Sequence, residues 1–301
     1  MTMTNVLNQS VTEKFALYNA DCVEVARSLP DNSVDFSVYS QPFESLYVFS
    51  NSERDLGNSA SSDDFWQHYR YLIAEMYRAM KPGRLVAVHC MNLPTSKVRD
   101  GFIGIKDFRG EIIRAHQAAG FIYHSEVCIW KDPVVAMQRT KALGLLYKQL
   151  KKDSTMSRQG IADYLVVLRK PGENPDPVTH TPDDFHVDKW QQYASPVWMD
   201  VKQSRTLQYM SARESDDERH ISPLQLDVIE RAIDLWTNPG DLVWTPFLGI
   251  GSEAFVALQM GRRAVGSELK RSYFDLAARN CLEAQVDRQV DLFANAGEAA
   301  C

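Results

Sequence analysis

The sequence has no CxxC pair. Its five cysteines, Cys22, Cys90, Cys128, Cys281 and Cys301, are scattered. Neither a zinc site nor a disulfide framework is expected, and a reducing compartment is. No apolar run approaches the ~18 residues that a membrane helix needs, so no membrane role is expected. The start, MTMTNVLNQSVTEK, lacks the apolar centre of a secretory signal, which predicts a cytoplasmic protein. His180, His186 and His220 stand at irregular spacing, and no metal site is expected from them. There are no internal repeats. Basic excess is also missing: the net charge is −6 over 301 residues. That argues only weakly against nucleic acid, because binding depends on local patches. One such patch is present, with Arg139, Lys141, Lys148, Lys151, Lys152 and Arg158 against the single acid Asp153. A solvated helix face is its plain alternative.

Apolar residues make up 45% and charged residues 24% of the chain, enough for a sizeable core. Strand-like stretches at 15–18, 34–39, 85–88, 121–130, 164–168, 241–244 and 263–268 alternate with helical ones. The helices are expected at 22–29, 63–80, 107–119, 223–236, 252–260 and 270–284, with Lys81-Pro82-Gly83 ending the second. This alternation predicts an α/β fold, a largely parallel sheet with helices on both faces. Ligands in such sheets sit at the carboxyl ends of the strands. The stretch 171–187 is expected to be a loop, and the tail after Asp287 to fray. Trp190 and Trp198 are expected to pack rather than wedge between bases.

Two stretches carry chemistry. DLVWTPFLGIGSEAFVALQMGRRAVGSEL (241–269) reads as strand, glycine turn, helix, strand. Gly249 and Gly251 permit a tight turn and a close approach to a ligand. Glu268 ends the next strand, where an acid can accept hydrogen bonds from ribose hydroxyls. The full GxGxxG fingerprint is absent, since Ala254 stands in its last place, and an ordinary strand–helix turn is the alternative. The second stretch, NSVDFSVYSQPF (32–43), is a strand broken by Ser40-Gln41-Pro42-Phe43. At the same sheet edge, the Ser40 hydroxyl and the Gln41 carbonyl would be acceptors. Pro42 would stiffen the turn. Phe43 would offer a ring on which a flat base stacks.

Together these stretches resemble the β-class amino-directed (N6-adenine/N4-cytosine) DNA methyltransferases, phage and prophage members in particular. NSVDFSVYSQPF resembles their motif IV, and TPFLGIGSEAFVALQMGRRAVGSELKRSYFDLA their motifs I and II. RHISPLQLDVIERAI resembles motif X, and YNADCVEVARSLPDNSVD motif III. The catalytic motif precedes the cofactor motif, which is the β-class order. The resemblance implies the Rossmann-like S-adenosylmethionine-dependent methyltransferase fold with circularly permuted motifs. Its core would be 15–130 and 218–290, with a target-recognition region at 131–217. The cofactor would be S-adenosyl-L-methionine, held by Asp21, Cys22, Pro223, Thr245, Pro246, Phe247, Gly249, Gly251, Ser252, Glu268 and Leu269. Asp21 would touch its adenine and Glu268 its ribose. Ser40, Gln41, Pro42 and Phe43 would carry the chemistry on a base flipped out of double-stranded DNA in a bacterial or phage-infected cell. The basic residues from Arg139 to Arg158 would contact phosphate.

The chain departs from the family pattern twice. Gln41 replaces the first proline of motif IV, and Thr245 stands where many members have Asp. The first leaves a backbone carbonyl in place. The second removes a charge while Glu268 remains. Carbon-5 cytosine chemistry is disfavoured because no Pro-Cys pair is present. Ser40 leans the expectation slightly to cytosine N4. Methylation of RNA or of a protein amide, and a catalytically silent DNA-binding relative, stay open. So do oligomeric state, a homodimer included, and any restriction partner.

Overall fold

The structure, a computed structural model, describes residues 6–42, 62–140, 142–208 and 223–298, of which 139–140 and 286–298 are backbone alone. The first element is a hairpin that the sequence does not announce. Strand β1 (Asn8–Val11) runs antiparallel to β2 (Phe15–Asn19). Helix α1 (Cys22–Ser28) follows, then β3 (Val34–Ser40), in which every residue but Ser40 is buried. A strand covered on both faces needs a nearly continuous apolar run, and the polar side chains inside this one are paired. The Ser37 hydroxyl donates to the Trp244 carbonyl, and Asp35 meets Lys81 at 2.7 Å and Arg84 at 3.3 Å.

Helix α2 (Ser62–Ala79) buries Phe65, Tyr69, Leu72, Ile73 and Met76 at helical spacing. It ends at Ala79 as expected, but Lys81-Pro82-Gly83 is not a free turn. Those residues lie inside β4 (Met80–Met91). Gly83 bends that strand at φ 72° and donates its N–H to Lys170. Strands β5 (Leu93–Pro94) and β6 (Ile105–Lys106) form a small separate ladder flanking α3 (Lys97–Asp100). Helix α4 (Phe108–Ala118) leads into β7 (Ile122–Ile129). Next come the short helices α5 (Pro133–Thr140) and α6 (Tyr147–Lys152), and then β8 (Asp163–Arg169). Helix α7 (Val187–Tyr193) and β9 (Val197–Trp198) complete that end.

The last third supplies α8 (Leu226–Trp236), β10 (Leu242–Thr245), α9 (Ser252–Gln259), β11 (Arg263–Ser267) and α10 (Arg271–Glu298). Helix α8 starts three residues later than the sequence predicts. Helix α10 carries its backbone on to Glu298, where fraying was expected.

The main sheet has the order β1-β2-β11-β10-β3-β4-β8-β7-β9. From β2 to β4 all neighbours are parallel. Strand β8 runs antiparallel to both β4 and β7, which makes the sheet mixed. Residues of α8, α9 and α10 close one core with Phe36, Val38 and Val243. Residues of α2 and α4 close the other with Tyr39, Val86 and Val88. The parallel strands β2, β11, β10, β3 and β4 therefore end along one common edge, with layers of side chains above and below it.

Candidate active site

Three of those strand ends meet at a glycine turn. Gly249 and Gly251 adopt φ of 53° and 91°, a region that side chains with a Cβ avoid. A Cβ on Gly251 would lie 3.1 Å from Ala277, so glycine also lets α9 touch α10. Gly249 differs, because nothing lies within 4 Å of the position its Cβ would take. Glu268, just past β11, locks this turn. Its Oε2 accepts the Gly249 N–H at 2.9 Å and its Oε1 accepts the Lys270 N–H at 2.8 Å. Asn19, absent from the residues singled out in the sequence, ties β2 to the same corner. Its amide donates to the carbonyls of Glu268 (2.7 Å) and Leu269 (2.9 Å).

The other cofactor candidates lie on the elements that adjoin this corner, except Pro223, which lies ahead of α8. Asp21 caps α1, its Oδ1 accepting from the N–H groups of Val23 (2.8 Å) and Glu24 (3.2 Å), as a short acidic side chain at a helix start does. Burial pushes the Cys22 thiol well up, and the carboxylates of Asp21 and Glu268 add to the push. Cys22 thus sits within electrostatic reach of both acids. Thr245 and Pro246 are buried, and the Ser267 hydroxyl donates to the Pro246 carbonyl. The Phe247 ring lies 5.7 Å from that of Tyr39 on β3. Ser252 is the buried first residue of α9. Pro223 opens the last described segment, just ahead of α8, which packs on α9.

Strand β3 lies beside β10, paired through Val243↔Phe36 and Trp244↔Ser37. Ser40-Gln41-Pro42 therefore stands next to the glycine turn. Ser40 and Pro42 are half-buried. Gln41 is 1% exposed, and neither Oε1 nor Nε2 of its side chain has a partner among the described residues. Phe43 lies outside the described residues, as does His220.

The sequence reading passed over the side chains that meet Ser40. Its Oγ lies 3.1 Å from Nδ1 of His89, directly opposite on β4. His89 Nε2 lies 3.1 Å from Oδ2 of Asp163, and Lys131 Nζ is 2.5 Å from that same oxygen. Burial raises the Asp163 carboxyl, but Lys131 and His89 outweigh it and hold the group below the usual carboxylate range. In the sequence, His89 is one polar letter in an apolar run and Asp163 one acid before another apolar stretch. Only strand register brings them together.

The basic segment forms α6 and its flanks. Lys148, Lys151 and Lys152 are exposed, and Lys151 lies over the Tyr147 ring at 5.1 Å. Arg158 is half-buried, donates to the Gln159 carbonyl and is lowered by that burial. Arg139 falls in α5, and Lys141 lies outside the described residues. Trp198 packs at 1% exposure while Trp190 stays 56% exposed, so the packing expectation fits only the former. Among the described residues no cluster of His, Cys, Asp and Glu could hold a metal, and no helix is long and apolar enough to cross a membrane.

The DNA methylase family model, which covers N6- and N4-directed enzymes, matches residues 34–279. The chain belongs to that family. Among relatives of this methylase, the type II methyltransferase M.BglII of Bacillus subtilis is 23% identical over 87% of the chain and 67% of its own length. M.BamHI of Bacillus amyloliquefaciens is 26% identical over 86% of the chain. The methylase spans only 55% of that relative's length. Two solved structures share the fold. A DNA modification methylase from Thermus thermophilus, complexed with S-adenosyl-L-methionine, aligns with a TM-score of 0.65 at 21% identity over 88% of this chain and 92% of that one. PvuII DNA methyltransferase, cytosine-N4-specific, aligns with a TM-score of 0.64 at 14% identity, covering 92% and 90%. The fold is that of the S-adenosylmethionine-dependent methyltransferases, and S-adenosyl-L-methionine is the cofactor. The site fits it. A glycine turn with open space at Gly249 and a fixed acid at the end of the next strand suit a nucleoside with ribose hydroxyls.

Proposed function

We propose that this methylase modifies an exocyclic amino nitrogen of a base flipped out of double-stranded DNA, cytosine N4 in preference to adenine N6. The observation that carries the reading is the parallel pairing of β3 with β10. It brings the strand that ends in Ser40 beside the strand that leads into the glycine turn, which supports reading the first as the acceptors and the second as the seat of the cofactor. The preference for cytosine rests on Ser40 at the head of the motif.

Bound S-adenosyl-L-methionine supplies a methyl group made electrophilic by its sulfonium. The work of the chain is to make a poor nucleophile attack it. An amino nitrogen on cytosine or adenine shares its lone pair with the ring. The Ser40 hydroxyl and the Gln41 carbonyl accept its two hydrogens, draw it toward tetrahedral geometry and stabilise the positive charge that develops. Pro42 stiffens the strand end that carries both acceptors. The base must first leave the helix, and Phe43 offers the ring on which it stacks. Asp21 and Glu268 flank the adenosine end of the cofactor. The region 131–217 serves as the target-recognition part, with its exposed lysines on phosphates.

Nucleoside mass spectrometry on DNA from cells expressing the protein tests the reading. N4-methylcytosine is the expected product. N6-methyladenine alone would overturn the preference but not the chemistry, and 5-methylcytosine would overturn both. Labelled methyl transfer to RNA or protein in place of DNA would reassign the substrate.

A further inference from the structure

Four side chains, three on neighbouring strands and one just past the end of β7, form one hydrogen-bonded row across the edge of the sheet: Ser40, His89, Asp163 and Lys131. The row follows from register. Ser40 pairs with His89 across β3 and β4, Met91 with Asp163 across β4 and β8, and Ile129 with Asp163 across β7 and β8. Lys131 follows two residues after Ile129. The row is sheltered, since the side chains of Asp163, His89 and Lys131 are 3%, 10% and 26% exposed.

We infer that His89, oriented by Asp163, makes Ser40 an obligate acceptor toward the target amine and receives its proton. The inference rests on the function proposed above. An ionised carboxylate can only accept, so Asp163 requires the hydrogen of His89 to be on Nε2. The neutral ring is then bare at Nδ1, and the Ser40 hydroxyl must donate there. With its one hydrogen so placed, Ser40 turns only lone pairs toward the base. Without His89 the hydroxyl is free to rotate and to offer its hydrogen to the nitrogen that must attack.

The same row gives the displaced proton a path. The amino nitrogen bonds to the methyl carbon as the carbon–sulfur bond breaks and its electron pair stays on sulfur. One N–H bond then breaks toward Ser40 Oγ, while the hydroxyl's own proton passes to His89 Nδ1. The products are a neutral methylamino base, a neutral thioether and an imidazolium facing Asp163. Positive charge has moved from sulfonium to imidazolium, so the step balances. Lys131 keeps Asp163 ionised. Beyond them, Arg109 is paired with Glu126 at 2.6 Å, and burial holds the Cys90 thiol in its neutral form. His89 therefore acts through Ser40 as a positioning residue.

Two measurements on the full chain test this. Nitrogen-15 NMR of the histidines, with His89→Gln for assignment, should show His89 protonated at Nε2 and bare at Nδ1. Single-turnover methylation of DNA should slow toward acid pH with a one-proton limb, because a protonated His89 cannot accept. In His89→Gln that limb should vanish and the rate fall about 10²–10⁴-fold, with affinity for S-adenosyl-L-methionine kept. Adding His89→Gln to Ser40→Ala should cost no further rate, since groups acting as a unit are not additive. Asp163→Asn, which no longer demands the Nε2 hydrogen, should slow transfer as well. A His89 protonated at Nδ1, an acid limb that persists in His89→Gln, or losses that multiply in the double variant would overturn the relay while methylation continues. A wild-type protein that methylates no DNA amine would overturn the functional reading and the relay with it.

Discussion

Gln41 is buried with a side-chain amide that meets no partner among the described residues, and leaving such a group unsatisfied costs about 1–3 kcal/mol. In the function proposed above, only its backbone carbonyl takes part in the chemistry. Gln41→Met keeps the size and removes the polar atoms, so it should raise the melting temperature while single-turnover rates hold. A lowered melting temperature would show that the amide is paired in solution. Glu268 presents the opposite case. Both of its carboxylate oxygens already hold backbone N–H groups, so Glu268→Ala removes the lock on the glycine turn as well as the proposed ribose acceptor. Loss of a charged hydrogen-bond partner is worth about 1.5–3 kcal/mol. Calorimetry should find cofactor affinity reduced accordingly, and unchanged affinity would remove Glu268 from the site.

Within the elements, the two turn glycines should separate experimentally. Gly251→Ala forces a Cβ against Ala277 and a left-handed backbone on alanine, and the backbone term alone is about 1–2 kcal/mol. Gly249→Ala carries the backbone cost without the clash. Urea denaturation should therefore rank Gly251→Ala as the less stable, and equal losses would mean that α9 and α10 shift to accommodate the methyl. For α6, Lys151→Ala with Lys152→Ala should weaken DNA binding for all sequences alike and flatten the salt dependence by about one to two units of slope. An unchanged slope would leave those lysines as a solvated face. The buried elements are legible in the sequence because β3, β10 and β11 lie at the centre of the sheet and read as largely apolar runs. The glycine turn is legible because only glycine suits its backbone. Strand β1 is not, since Asn8-Gln9-Ser10-Val11 becomes a strand only by pairing with β2. The row from Ser40 to Lys131 is not legible either. It depends on how β8 returns antiparallel beside β4, which sets His89 against a residue 74 positions away.

Across the whole molecule the two halves of the site come from opposite ends of the chain. Ser37 of β3 donates to the Trp244 carbonyl of β10 across 207 positions. A fragment ending at residue 208 keeps Ser40, His89, Asp163 and Lys131 but lacks β10, β11 and the glycine turn. It should show no binding of S-adenosyl-L-methionine by calorimetry, and retained binding would relocate the cofactor. The separation also has a consequence in time. At about 5–20 residues per second, a ribosome needs roughly 10–40 s to travel from β3 to β10. Throughout that interval one side of the acceptor strand is an open edge, which invites pairing with other chains. The nascent protein is thus a natural client for chaperones during most of its own synthesis. A product of termination between β3 and β10 carries the proposed acceptors without the glycine turn, so on the function proposed above such an unfinished copy transfers no methyl group.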